Sequence, residues 1–287
     1  MKRLILPLFT LALVTHAEAA STIDAANRYA YGANIGWADW RGDTANGAVI
    51  GEYVCSGSIY SANVGWLSLG TGSPANGIRY QNLSATDFGV NHDGFGNLSG
   101  CAYGANIGWI NFETNGAPKV NLKTGALSGS IYSANCGWIS LSNSFAYVQT
   151  DSLYQGPFDA NGLPIPWELS NFGATGINPN ADPDHDGVSN LGEYLAGTDP
   201  NNANSDLKIT SYNFAALPGG EFTTLTWSST LSRLYYIEKT ASLSAPVWLD
   251  SGLGLISPDG ATTTRGFGND PSSIRFYRVR AVLPLSP

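Results

Sequence analysis

The sequence predicts an all-β protein, on three observations. Glycine is unusually common, at 34 of 287 residues, while only 13% of the chain is charged. That is too apolar for disorder and too Gly-rich for a helical bundle. Four segments align without gaps: Tyr29-AYGANIGWADW, Ser58-IYSANVGWLSL, Cys101-AYGANIGWINF and Ser130-IYSANCGWISL. The C-terminal third runs in short β-branched and aromatic stretches separated by Pro, Gly and Ser clusters.

The first nineteen residues read as a leader. Lys2 and Arg3 precede the apolar run Leu4 to Val14, and Ala17-Glu18-Ala19 follows. This is the order of a secretory signal peptide, whose run is too short to span a bilayer. Cleavage removes Lys2, Arg3 and Glu18 and takes the net charge from −8 to −9. An acidic chain of this kind is expected to be secreted, at the cell surface or extracellular, with no nucleic-acid partner and no membrane insertion.

Residues 20–142 are predicted to be a repeat domain of four G-W hairpins. Trp37, Trp66, Trp109 and Trp138 lie 29, 43 and 29 residues apart, so the larger unit is a pair with a period of 72. Each copy reads as strand, tight turn, strand. Asn34, Asn63, Asn106 and Asn135 are expected to bond the local backbone or take positive φ, with Gly36, Gly65, Gly108 and Gly137 at the second permissive position. Strand parity places Ala38/Trp40, Leu67/Leu69, Ile110/Phe112 and Ile139/Leu141 on one side. The repeat tryptophans share the other side with Asp39, Ser68, Asn111 and Ser140. Tyr31, Tyr60, Tyr103 and Tyr132 join that face if the register sets them opposite the tryptophans. Two readings stand for these eight aromatics: a second packing layer, or a half-exposed row offering stacking surfaces to sugar rings.

Residues 143–206 form a connector rich in Asn, Asp, Pro and Gly. Within it, Asp182-PDHDGVSNLGE-193 satisfies D-x-D-x-D-G-x5-E at every defined position. Asp182, Asp184 and Asp186 would offer side-chain oxygens, Val188 its carbonyl, and Glu193 two oxygens from a short helix. Hard oxygen donors without a required Cys or His select calcium. Ser189 and Gly197 mark the ends of that helix, with Leu191, Tyr194 and Leu195 as its packing side. Weaker echoes of the loop are Asp159, Asn161 and Glu168 upstream, and Asp199, Asn201, Asn204 and Asp206 downstream.

Residues 207–287 are predicted to be a β-sandwich, from Leu207 to Thr210, Phe222 to Trp227, Leu234 to Glu238 and Ile274 to Arg280. Trp227, Tyr236 and Tyr277 are its expected core. Of the three cysteines, Cys136 replaces Ile35, Val64 and Ile107 of the other copies and is expected to be a buried thiol, leaving Cys55 and Cys101 as the expected bridge if one forms.

The stretch from Gly162 to Gly173, the Asp-rich run from Ala181 to Asp206 and the tail residues Thr226-Trp227, Val247-Trp248 and Phe276 to Val279 together carry a resemblance. The connector resembles the thrombospondin type 3 and EF-hand-like calcium connectors of large secreted bacterial surface proteins. The tail resembles the immunoglobulin-like or fibronectin-like sandwich that follows such connectors, and the N-x-G-W copies resemble a repeat of the same proteins. The resemblance implies location and metal rather than activity. It differs from the usual connector at His185, where Gly is common.

The chain carries none of the short catalytic motifs: no G-x-S-x-G, H-E-x-x-H or P-loop. Asp39, Asp43, Glu52, Asp87, Asp93 and Glu113 share no common repeat position. The expectation is a non-catalytic, calcium-stabilised scaffold or binding protein whose partners are polysaccharide or other extracellular proteins. The alternative is a carbohydrate-binding protein using the Tyr/Trp face, and a polysaccharide hydrolase stands third.

Overall fold

The computed structural model describes residues 21–42, 45–217, 220–269 and 276–286. The leader and Asp43 lie outside them. Among the described residues the fold is all-β but for two short helices.

The N-terminal strands are β1 (Ile23–Gly32), β2 (Gly36–Asp39), β3 (Ser56–Ser61), β4 (Gly65–Thr71), β5 (Val90–His92), β6 (Leu98–Gly104), β7 (Gly108–Phe112), β8 (Lys119–Val120), β9 (Leu127–Ser128), β10 (Ser130–Ser133), β11 (Gly137–Ser140) and β12 (Val148–Thr150). One antiparallel path runs β11-β10-β7-β6-β4-β3-β2-β1, and β11 also pairs with β1, so eight strands close into a barrel. Closure leaves no exposed edge along this path. β5 pairs with β6, while β12 extends the sheet beside β1.

Alternation fills the barrel. Ala30, Ala38, Ile59, Leu67, Ala102, Ile110, Ile131 and Ile139 are all buried, with Trp40, Leu69, Phe112 and Leu141 next along the strands. Ala30 and Ala38 face each other in the first hairpin, which carries Trp40, and the rings of Trp40 and Phe112 lie 6.4 Å apart. The turns bring Ile35, Ile107 and Cys136 into the same cluster, with Val64 packed against it. Each turn ends on a glycine in the left-handed region, Gly36, Gly65, Gly108 and Gly137, at φ +70° to +80°.

The turn asparagines differ from the expectation. None has positive φ. Instead the Nδ2 groups of Asn34, Asn63, Asn106 and Asn135 donate to the carbonyls of Cys136, Ile35, Val64 and Ile107 at 3.0–3.1 Å. Each hairpin is thereby tied to its neighbour, and the four bonds run round the barrel end as a ring.

The connector holds α1 (Ile165–Phe172) and α2 (Asn190–Ala196). Only α2 was expected. Pro166 in the first turn and Gly173 in the left-handed conformation bound α1. Ser189 caps α2 by accepting from the Gly192 amide, and Gly197 ends it. Its buried face carries Asn190, Glu193 and Tyr194, whereas Leu191 and Leu195 are exposed, which corrects the expected packing side.

The C-terminal strands are β13 (Ile209–Leu217), β14 (Gly220–Ser228), β15 (Leu234–Thr240), β16 (Leu249–Asp250), β17 (Thr262–Asn269) and β18 (Phe276–Val282). They make two three-stranded sheets, β13-β14-β17 and β16-β15-β18. Leu225, Trp227 and Phe267 of the first share one apolar cluster with Tyr235 and Ile237 of the second. Tyr235, not Tyr236, is the core tyrosine: its ring lies 5.8 Å from Trp227. Tyr236 faces outward under the Arg280 guanidinium, and Tyr277 is half-buried beside the cluster.

Candidate functional site

Two groups of side chains stand out, a belt on the outer wall of the barrel and an acidic loop in the connector.

The belt is set by register. Tyr31 pairs with Trp37, Tyr60 with Trp66, Tyr103 with Trp109 and Tyr132 with Trp138. In each pair the ring centroids are 4.9–5.0 Å apart and the planes are inclined by 56–62°. The tyrosines are 38–41% exposed and the tryptophans 44–51%. The packing-layer reading is therefore overturned. The barrel interior is already filled from the opposite face of the same strands, and the aromatics point to solvent.

Between hairpins, Asp39 lies beside Tyr60, Ser68 beside Tyr103, Asn111 beside Tyr132 and Ser140 beside Tyr31. Every Tyr/Trp pair thus has one half-buried polar neighbour across the junction. The belt is nearly neutral, since Asp39 pairs with Arg28 at 3.4 Å. Two pairs carry a third ring: Tyr29, at the first position of its copy, lies 6.2 Å from Trp37, and Phe88, outside the repeat alignment, lies 5.1 Å from Trp109.

In the acidic loop, Asp182, Asp184 and Asp186 each place a carboxylate oxygen so that all three lie within 4.8 Å of one another. The loop shapes itself through its own amides. Asp182 accepts from His185 and Gly187 at 2.9 and 3.0 Å, Asp184 from Asp186 at 3.3 Å, and Asp186 from Val188 at 2.8 Å. Gly187 has φ +94° and His185 φ +65°, so the backbone at His185 takes a conformation that favours glycine.

What remains unpaired is informative. Asp184 Oδ2, Asp186 Oδ2 and both carboxylate oxygens of Glu193 are buried without a hydrogen-bond partner. Buried acceptors of this kind are costly unless something satisfies them. Burial first, and then the charges of Asp186, Asp184 and Asp199, push the Glu193 carboxyl up to about 7. A hard cation held by Asp182, Asp184 and Asp186 would satisfy the aspartate oxygens and remove their repulsion, so the three aspartates fit a metal, while Glu193 is not among the residues whose oxygens converge there.

The weaker loops look different. Glu168 is fully buried, but its Oε1 accepts from the Ile177 amide and Asn161 Nδ2, and its Oε2 from the Gly176 amide. Asp159 accepts from the amides of Asn161 and Gly176. Protein N–H groups stand where the other loop has bare oxygens. Downstream, Asp199 accepts from the Asn201 amide and Asp206 pairs with Lys208, while Asn201 donates to the Asn171 carbonyl and Asn204 lies exposed. The structure does not gather these four around one point.

A third cluster escaped sequence reasoning. Glu52 of the barrel segment accepts from Arg233 Nη1 at 3.1 Å and from the Tyr194 hydroxyl at 3.3 Å. Arg233 also donates to the Tyr194 and Leu195 carbonyls. Barrel, α2 and C-terminal unit meet there, and burial raises the Tyr194 hydroxyl well above its ordinary value. A lone Glu and a lone Arg 181 residues apart leave no sequence signal.

His92, Asp87 and Asp93 are bonded to backbone groups of the barrel domain. His92 is buried, with Nδ1 bonded to the Gly51 carbonyl at 2.8 Å and Nε2 accepting from the Gly96 amide at 3.0 Å. Asp87 and Asp93 accept from backbone amides of their own loops. All three cysteines are free thiols. Cys136 is buried as expected. The expected Cys55–Cys101 bridge is absent because Cys55 points into the core, whereas Cys101 shares the outward parity of Tyr103 and contacts Asn111.

No family model, curated protein or solved structure matches the chain.

Proposed function

We propose that the chain is a secreted, calcium-stabilised extracellular binding protein without catalysis, whose barrel holds neutral carbohydrate on its Tyr/Trp belt. The observation that carries this is the solvent exposure of eight aromatics held in four equivalent registers. Flat apolar faces beside hydroxyl and amide groups suit sugar rings, which present C–H faces and equatorial hydroxyls. The sequence resemblance supports reading the barrel as four copies of one hairpin and the C-terminal sheets as a small immunoglobulin-like or fibronectin-like sandwich. What favours sugar over a protein partner is the spacing of the rings: four separate Tyr/Trp pairs, each beside one polar side chain, rather than one continuous apolar patch.

Calcium belongs to this reading through Asp182, Asp184, Asp186, the Val188 carbonyl and Glu193. The all-oxygen donor set and the buried unpaired oxygens support it. When bound, the ion would neutralise the loop and order the connector, and the chain's own residues do the binding.

The test is retention of the mature chain on insoluble neutral polysaccharides. Replacing Trp66 and Trp138 together by Ala is expected to lose retention while the melting temperature stays nearly unchanged, since both rings are half-exposed. If the variant is retained as well as the parent, the belt is not the binding surface. If it unfolds, at the 3–5 kcal/mol cost of a core Trp→Ala change, the belt is structural.

A further inference from the structure

The geometry points to a cross-linking binder: Tyr60/Trp66 and Tyr132/Trp138, on opposite walls of the barrel, each engage a separate chain of a neutral polysaccharide. This rests on the belt being the glycan-binding surface. It adds how many chains the belt holds and what that does to the polymer.

Opposition follows from the closed strand order. β3 and β4 carry one pair, β10 and β11 the other, and two strands intervene in each direction, β6 with β7 and β1 with β2. Side chains on the outer wall of a closed barrel diverge, so these pairs face away from each other. Eight tilted strands spaced about 4.8 Å apart give a backbone cylinder roughly 15 Å across. A stiff glycan chain lying on one wall has no path to the other without turning through half a circle at that radius. Two walls therefore take two chains.

Likeness follows from sequence and surroundings. Ser58 to Asn63 and Ser130 to Asn135 are identical six-residue runs, Ser-Ile-Tyr-Ser-Ala-Asn. In each, a serine takes the place that Tyr29 and Cys101 hold in the other hairpins. The intervening pairs are each flanked by a third ring, Tyr29 or Phe88, against Trp37 or Trp109. Alternate hairpins thus make two classes of surface, and like members of each class stand opposite.

The occupant is argued from charge. The polar groups beside these two pairs are Asp39, already paired with Arg28, and Asn111 across the junctions, with the Ser58/Ser68 and Ser130/Ser140 hydroxyls along their own strands. With no free cation there among the described residues, and an acidic chain overall, the belt offers nothing to an anionic polymer. Hydroxyl-rich neutral chains remain. Engaging two such chains at once joins them, and repeated attachment along each polymer raises avidity without new contacts.

The experiment uses the monomeric fraction of the mature chain, verified by light scattering, with hydroxyethyl cellulose, galactomannan and mannan as probes. Binding is read as retardation in gels containing the polymer, and cross-linking as turbidity of the same mixtures. Three variants are compared: Y60A/W66A, Y132A/W138A and the four-residue combination. The parent is expected to be retarded by at least one probe and to cloud it. Each two-residue variant should still be retarded but lose turbidity at least tenfold, and the combination should lose both. If a two-residue variant clouds the polymer as well as the parent, or the parent is retarded and never clouds it, cross-linking is wrong while glycan binding stands. If no probe retards the parent, both are wrong.

Discussion

Asn106 shows what a single residue does in this barrel. Its side-chain amide donates to the Val64 carbonyl, and Asn34, Asn63 and Asn135 do the same for their neighbours. Replacing Asn106 by Ala leaves that carbonyl without its partner, at about 1 kcal/mol, and denaturant melting should show a lower midpoint at an unchanged slope. The repeat made these asparagines visible in the sequence. Their task was not legible there, because a side chain that reaches the next hairpin looks the same as one that bonds its own turn. His92 gives a pH signature. The Gly96 amide donates to its Nε2, so the ring is neutral, and burial lowers its pKa below the ordinary value of about 6.5. A lowered histidine supplies stability that is complete above the unfolded value and is lost as pH falls through the folded one. Melting temperature should therefore fall as pH drops below about 6.5, above the range of the ordinary carboxylates, and in saturating calcium His92→Gln should flatten that part of the profile. A profile identical in parent and variant would contradict this.

At the scale of elements, the acidic loop and α2 act as one piece. Gly187 sits at φ +94° with open space around it, so an added Cβ clashes with nothing but its own backbone. Gly187→Ala should cost about 1–2 kcal/mol in the folded loop and weaken calcium binding, measured by calorimetry. His185 is the converse, a residue with a Cβ at φ +65°, a conformation that favours Gly. The convergence of Asp182, Asp184 and Asp186 was legible because alternate side chains in a tight loop turn toward one point. The packing side of α2 was not, since in seven residues an apolar count misleads: Leu191 and Leu195 face water while Asn190, which donates to the Asn178 carbonyl, and Glu193 are buried. Helix α1 had its signals, Pro166 in its first turn and Gly173 beyond its end, but it is too short for a hydrophobic period to show. Strand parity placed the inward residues of the barrel correctly. It left the outward tryptophans ambiguous, because parity separates two faces without saying which of them meets another layer.

Across the whole molecule, three units meet at Glu52, Tyr194 and Arg233, joined by contacts between parts of the chain that local patterns do not connect. Arg233→Met should be strongly destabilising, by about 3–5 kcal/mol, because it leaves the Glu52 carboxylate buried without its cation. Adding Glu52→Gln should recover much of the loss, and a double-mutant cycle on denaturant midpoints measures the coupling. Glu193 immediately precedes Tyr194 in α2, so an ion held by Glu193 steadies the helix that carries this junction. That link makes calcium the centre of the account: on the proposed reading, an ion in the loop would hold the barrel and the C-terminal unit in one arrangement, beside the small apolar cluster of Leu163, Trp167 and Tyr194. The direct measurement is the melting temperature of the mature chain by scanning calorimetry, in chelator and in rising calcium up to several millimolar, for the parent and for Asp186→Ala. Extracellular sites bind at about 0.1–1 mM, and a tenfold excess of ion over that constant adds about 1.4 kcal/mol to a state that binds one ion. The account predicts a parent transition that rises with calcium and falls in chelator, and an Asp186→Ala transition that stays low and does not respond. A parent that melts at the same temperature in chelator and in millimolar calcium would contradict it.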